Sequence, residues 1–141
     1  MVRLLVFTLV VFSQLFSQES VAYNIAYGCS SVLDTRVELN HKNTSEKYSH
    51  YGKHVEEAAH MLDIGDLEDA DVQTLSGGEK QKISLARVLA KALQNPNFIQ
   101  LLLLDEWDSA LDYKSRKLAY EAIQHIRNIT RCTTIFITHT D

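Results

Sequence analysis

The run L-L-L-L-D-E at 101–106 constrains this chain more than any other stretch. Four successive leucines, entered through Phe98 and Ile99, are too apolar to leave a wet face. Apart from Gln100, residues 98–104 therefore read as a central strand of a parallel sheet covered on both sides. The residues after it fit that geometry. Residues 113–129 place Leu118, Ala122, Ile126 and Ile129 along one helical side, and 133–138 are β-branched and aromatic. Strand, helix, strand at this spacing is a βαβ unit with a right-handed crossover. Its carboxyl edge, where α/β folds bind ligands, then carries Asp105 and Glu106.

Upstream, 75–79 read L-S-G-G-E. Ser76 with Glu79 has the capping-box spacing, so a helix starts there. Leu85, Val88, Leu89 and Ala92 give it one apolar stripe, which Ile83, Ala86, Ala90 and Leu93 widen, and Asn95-Pro96-Asn97 ends it in a turn. Val55, Ala58, Ala59 and Leu62 mark a short amphipathic helix over 54–62, closed by Gly65 and the acidic 66–71. The polar stretch 34–53 has no strong period and reads as a surface loop or weak helix. A chain of 141 residues is one domain at most. Its net charge of -4 gives no reason to expect a nucleic-acid partner. Cys29 and Cys132 stand in no metal-ligand spacing, as in a reducing compartment. His50, His54 and His60 lack a completing ligand, so a solvated polar face is the better reading.

Two pieces carry chemistry. A carboxylate at Asp105 can hold Mg²⁺, usually through water, and a second at Glu106 can orient and deprotonate a water. Taken alone, an apolar strand ending in two acids is more often just an acidic turn. The glycine pair alters that balance: Gly77 and Gly78 behind a capping serine leave backbone N–H groups at a helix N-terminus, an anion site with the helix dipole aimed at it.

The longer string L-S-G-G-E-K-Q-K-I-S-L-A-R resembles the signature motif of ATP-binding cassette (ABC) ATPases. L-L-L-L-D-E resembles their Walker B strand, S-A-L-D at 109–112 their D-loop, and T-H at 138–139 their switch histidine. The match is clear over 75–139. The resemblance implies a partial P-loop NTPase-like α/β core of parallel strands and crossover helices plus a helical signature subdomain. In such a partial domain over 1–141, about 29–75 would be the helical subdomain and link, and 76–141 the signature helix, Walker B and switch region. It further implies that Asp105 helps hold Mg²⁺, that Glu106 is the catalytic base, and that His139 contacts the γ-phosphate of ATP. Ser76, Gly77 and Gly78 would bind the γ-phosphate of a nucleotide held by an opposite, head-to-tail ABC subunit, and Asp112 would communicate across that interface.

Residues 15–28 more loosely resemble the stretch after the Q-loop of transporter cassettes. Gln14 is nominated as the Q-loop residue, with Gln18 or an ordinary surface glutamine as alternatives. The implied function is ATP binding and hydrolysis driving a membrane-spanning transporter partner from the cytoplasmic side of a membrane. Transport direction stays open, although the short acidic link at 64–75 looks importer-like. There are departures. Trp107-Asp108 and Glu79 are less usual choices, and the chain holds no G-x-x-x-x-G-K-[ST] loop, since Gly52-Lys53 is followed by His54. The isolated chain is accordingly expected to grip ATP weakly. Two rivals stand beside this reading. A DNA-maintenance ATPase also uses L-S-G-G-E-K but needs sustained heptads, which are missing from this sequence. A catalytically inactive cassette fragment is the other.

The apolar N-terminal run 4–12 has two readings. It resembles a signal-peptide core, after which sequons at Asn43 and Asn128 would matter, or it is a buried strand rich in β-branched and aromatic residues. ATP chemistry needs a cytosolic nucleotide pool, which favours the strand.

Overall fold

The computed structural model describes residues 7–10, 15–29 and 52–137. In chain order these form β1 (Phe7–Val10), α1 (Val21–Ala26), α2 (Lys53–Met61), α3 (Gly77–Gln94), β2 (Leu101–Asp105), α4 (Tyr113–Thr130) and β3 (Thr133–Ile137). Two single 3₁₀ turns, Gly65–Leu67 and Val72–Thr74, join α2 to α3. The sheet has the order β1-β2-β3 and is parallel throughout. Phe7 faces Leu101 across the first ladder, and Asp105 faces Ile137 at the end of the second. Within the N-terminal apolar run, residues 7–10 thus take the strand form.

β2 is central, as the leucine run predicts, but it differs from expectation in two ways. It starts at Leu101 rather than Phe98. The turn begun by Asn95 and Pro96 reaches Phe98, whose N–H bonds the Asn95 carbonyl at 3.0 Å, and the Lys91 ammonium sits 4.2 Å over its ring. Nor are both faces closed among the described residues. Leu102 and Leu104 are fully buried, while Leu101, Leu103 and Asp105 on the other face are only half-buried. Helices cover one side.

The core gathers around α3. Ile83, Ala86, Leu89, Ala90 and Ala92 are completely buried, and α1, α2 and α4 all pack against this helix. Each fully buried Leu or Ile contributes about 1.5–3 kcal/mol. The α4 stripe lies slightly off the predicted one: Ala119, Ala122, Ile123 and Ile126 are buried, whereas Leu118 and Ile129 border solvent. Both pairs of rows keep helical spacing, and Ala119 and Ile123 are the more deeply buried pair.

A polar knot fixes α1. Asn24 is wholly buried; its side-chain NH₂ donates to the carbonyls of Phe16 and Ser20 at 3.1 and 3.0 Å, and its Oδ1 accepts from the Phe16 N–H at 2.8 Å. Arg87 of α3 reaches the same residue, with Nε on the Asn24 carbonyl at 2.7 Å and Nη2 on Oδ1 at 3.0 Å. The guanidinium also lies over the rings of Phe16 and Tyr27. The approach is close enough that a Cβ on Gly28 would stand 2.5 Å from the Arg87 carbonyl oxygen.

Candidate functional site

Three segments converge at the carboxyl end of β2: the start of α3, the turn after Asp105, and the start of α4. Ser76 caps α3 by accepting the Glu79 N–H at 3.2 Å, while Glu79 Oε2 accepts the Ser76 N–H at 2.7 Å and its hydroxyl at 2.8 Å. The box leaves the first helical N–H groups, those of Gly77 and Gly78, with no acceptor one turn back. Hydrogen bonds from Ser76, backbone first and hydroxyl second, hold the Glu79 carboxyl below its usual pKa. A carboxyl lowered by folding stabilises above its unfolded pKa, about 4.3 for glutamate, and loses that stabilisation as pH falls through the folded value. Urea midpoints measured from pH 6 down to pH 2.5 are therefore expected to differ between the unmutated chain and Glu79→Gln at the upper end and to converge in acid. A gap independent of pH would show that the charge on Glu79 contributes nothing.

Gly78 is needed for contact, whereas a Cβ at Gly77 would find ordinary packing room. A Cβ on Gly78 would stand 2.8 Å from the Ala110 carbonyl oxygen, and one on Gly77 would meet the Ala110 Cβ at 3.5 Å. The start of α3 is thus pressed on the turn that precedes α4. Asp112 ends that turn as the N-cap of α4, accepting the Ser115 N–H at 2.7 Å, and this bond chiefly lowers its pKa. Arg116 approaches Asp108 at 3.4 Å across the same turn.

Between them lie the two acids. Asp105 Oδ1 is buried with no hydrogen-bond partner, which is how a carboxylate facing a cation site presents itself. Among the described residues no group of three or more His, Cys, Asp or Glu is arranged to hold a metal, so any cation here needs water or phosphate oxygens as well. Glu106 is exposed and has φ 46°, a left-handed backbone that costs a non-glycine residue of order 1 kcal/mol. Its N–H bonds the Ile137 carbonyl at 3.2 Å, and its own carbonyl accepts the Ser109 N–H at 3.2 Å. Trp107 beside it packs edge-on to Phe136, ring centroids 6.2 Å apart.

One residue in the site was given no role by the sequence. Gln81, 8% exposed, donates from Nε2 to the Glu106 carbonyl at 3.2 Å and to Ser109 Oγ at 3.0 Å, and accepts the Ala110 N–H at 3.2 Å. The available signal was its place in line with Leu85, Val88 and Ala92, a polar side chain on an apolar stripe. Of the residues singled out, Ser76, Gly77, Gly78, Asp105, Glu106 and Asp112 come together around this turn. Gln14 and His139 lie outside the described residues.

A capped diglycine helix start pressed on the turn behind a parallel strand ending in Asp-Glu defines a cassette-type nucleotide-binding fold, and the chain belongs to the ABC transporter family, whose model matches residues 6–109. It is 44% identical over 85 residues to the ATP-binding protein ZnuC of a high-affinity zinc uptake system in Bacillus subtilis, a match covering 60% of this chain and 34% of that protein. It is 36% identical over 125 residues to the molybdate/tungstate import ATP-binding protein WtpC of Methanocaldococcus jannaschii, covering 89% and 35%. A solved bacterial Atm1-family ABC exporter with ATP bound superposes with a TM-score of 0.61 at 29% identity, over 94% of this chain and 21% of that one. The chain thus spans about a third of the length of these two import proteins. Relatives named for import do not favour the DNA-maintenance alternative.

Proposed function

We propose that this chain is the signature and Walker B part of an ABC transporter ATPase, binding and hydrolysing ATP in a head-to-tail pair that moves a membrane-spanning partner. The observation that carries this reading is the junction itself: the Gly77–Gly78 start of α3 seated on Ala110, in the turn that follows Asp105 and Glu106. In this reading the Gly77 and Gly78 N–H groups and the Ser76 hydroxyl meet the γ-phosphate of an ATP held by the opposite subunit. Glu106 takes a proton from the attacking water. His139 contacts the γ-phosphate, Gln14 lines the same site, and Asp112, besides capping α4, faces the pair interface. The buried, unpartnered Asp105 oxygen suits Mg²⁺, which when bound neutralises charge on the transferring phosphoryl group. The lysine loop that grips the α- and β-phosphates must be supplied alongside these residues.

The helical part (about 29–75) and the nucleotide-facing part (76–141) meet at the start of α3 in this scheme. No helix of the described residues is long and apolar enough to cross a membrane. In the proposed arrangement, membrane association runs through the transporter partner, on the cytoplasmic side. Importers and an exporter both resemble the chain.

Pairing tests the proposal. With a lysine-loop segment joined to the chain, ATP is expected to drive dimerisation measured by sedimentation velocity. Ser76→Arg, which fills the helix start with a bulky side chain, is expected to abolish that dimer while leaving the monomer folded. ATP-driven pairing that survives Ser76→Arg would refute the assignment of this helix end to the partner's nucleotide.

A further inference from the structure

Gln81 is a buried polar residue on an otherwise apolar stripe, and its three side-chain hydrogen bonds all go to a single turn. It also lies five residues from the Ser76 cap, about one and a half helical turns, on the same helix. We infer that Gln81 is a positioning residue, which ties the start of α3 to the Glu106 turn so that the two move as one body. The inference rests on the proposed role of Glu106 in activating water.

The geometry runs as a short chain. Ser76 and Glu79 lock the first turn of α3, and Gln81 comes directly after. Its amide NH₂ holds the Glu106 carbonyl and Ser109 Oγ, and its Oε1 holds the Ala110 N–H, so both ends of the 106–110 turn are gripped from the same side chain. The Glu106 backbone is left-handed, a conformation that persists only where its surroundings impose it. Three bonds do so: the Ile137 carbonyl on its N–H, and Ser109 and Gln81 on its carbonyl. Two of these lie within the sheet edge and turn, and Gln81 brings the third from the signature helix. A shift of the Ser76–Gly78 end therefore reaches the peptide that carries the Glu106 carboxylate. Ala110 makes the same link a second time, since it bonds Gln81 and also sits against Gly78.

Trp107 is the chain's one tryptophan and neighbours Glu106, so its fluorescence reports this turn directly. In the full chain, Gln81→Leu is expected to shift Trp107 emission and increase its quenching by acrylamide, with the circular dichroism of α3 retained. Gln81→Glu keeps the acceptor for Ala110 and loses the donor to Glu106, and is expected to move the same signal. Ile126→Val, a comparably mild core change in α4 remote from the turn, should leave the emission unmoved. In the pair completed with a lysine-loop segment, both Gln81 variants should lower kcat by roughly 10- to 100-fold with KM within about twofold, the pattern of a misplaced group rather than a lost contact. If the unmutated pair fails to hydrolyse ATP, the proposed function has failed, and the Trp107 signal still decides the coupling. If Gln81→Leu does not fold, Gln81→Glu decides it. Unchanged Trp107 emission in the folded variants, or an unchanged kcat in an active pair, would overturn the inference.

Discussion

In an ATP-loaded pair completed with a lysine-loop segment, Glu106→Gln is expected to slow turnover by about 10²- to 10⁴-fold, the range a positioned general base supplies. The amide keeps the size and hydrogen-bonding reach of the carboxylate but cannot accept a proton from water. Its backbone demand is unchanged, since glutamine meets the same left-handed φ of 46° at the same modest cost. ATP should bind as before, and the pair should persist closed around unhydrolysed nucleotide, visible as a stable dimer in sedimentation with a vanishing single-turnover rate. Hydrolysis at the unmutated rate would show that another group activates the water.

The largest loss of stability is expected at Asn24. Asn24→Leu keeps the volume but strands the Phe16 N–H and one arm of the half-buried Arg87 guanidinium, while the carbonyls of Phe16 and Ser20 keep the Glu19 and residue-24 backbone N–H groups. Orphaned buried groups cost about 1–3 kcal/mol each, more where a charge is involved, with some relaxation toward water. A destabilisation of about 3–5 kcal/mol is expected by urea unfolding, against less than about 0.5 kcal/mol for an exposed change such as Gln73→Ala. A loss under about 1 kcal/mol at Asn24 would mean that water replaces these bonds readily.

Local rules were enough for much of the fold. Ser76 and Glu79 announce α3 because a capping box is closed by residues three apart, and the apolar rows of α2 and α3 need only helical periodicity. The leucines of β2 likewise declare a central strand. What stayed illegible depends on partners distant in the chain. Arg87 and Asn24 are 63 positions apart, and neither carries a local sign of the other. The start of β2 is hard to place because Phe98 is apolar enough for a strand, yet its ring is taken by Lys91 and its N–H by the Asn95 turn. The α4 face shifted because periodicity admits two adjacent rows, and only packing in the folded chain selects Ala119 and Ile123. In the site, the acids and glycines were visible as types in order, while Gln81 passed as one more letter of the motif. Its function is to reach 25 to 29 residues along the chain, a relation that composition does not carry.

Gly28 bears on how such a chain can change through descent. The atom nearest a Cβ there is the carbonyl oxygen of Arg87, part of the α3 backbone, and not only the movable end of a side chain. Shortening Arg87 would therefore leave the obstacle in place. Positions 28 and 87 do not form a pair that can drift by compensating exchanges, one growing as the other shrinks. Any lineage that acquires a side chain at 28 must first move α3 away from the segment after α1, and α3 is the helix that also presents Ser76. Variation far from the Ser76 end of α3 is thus held in check by a distance between two backbones.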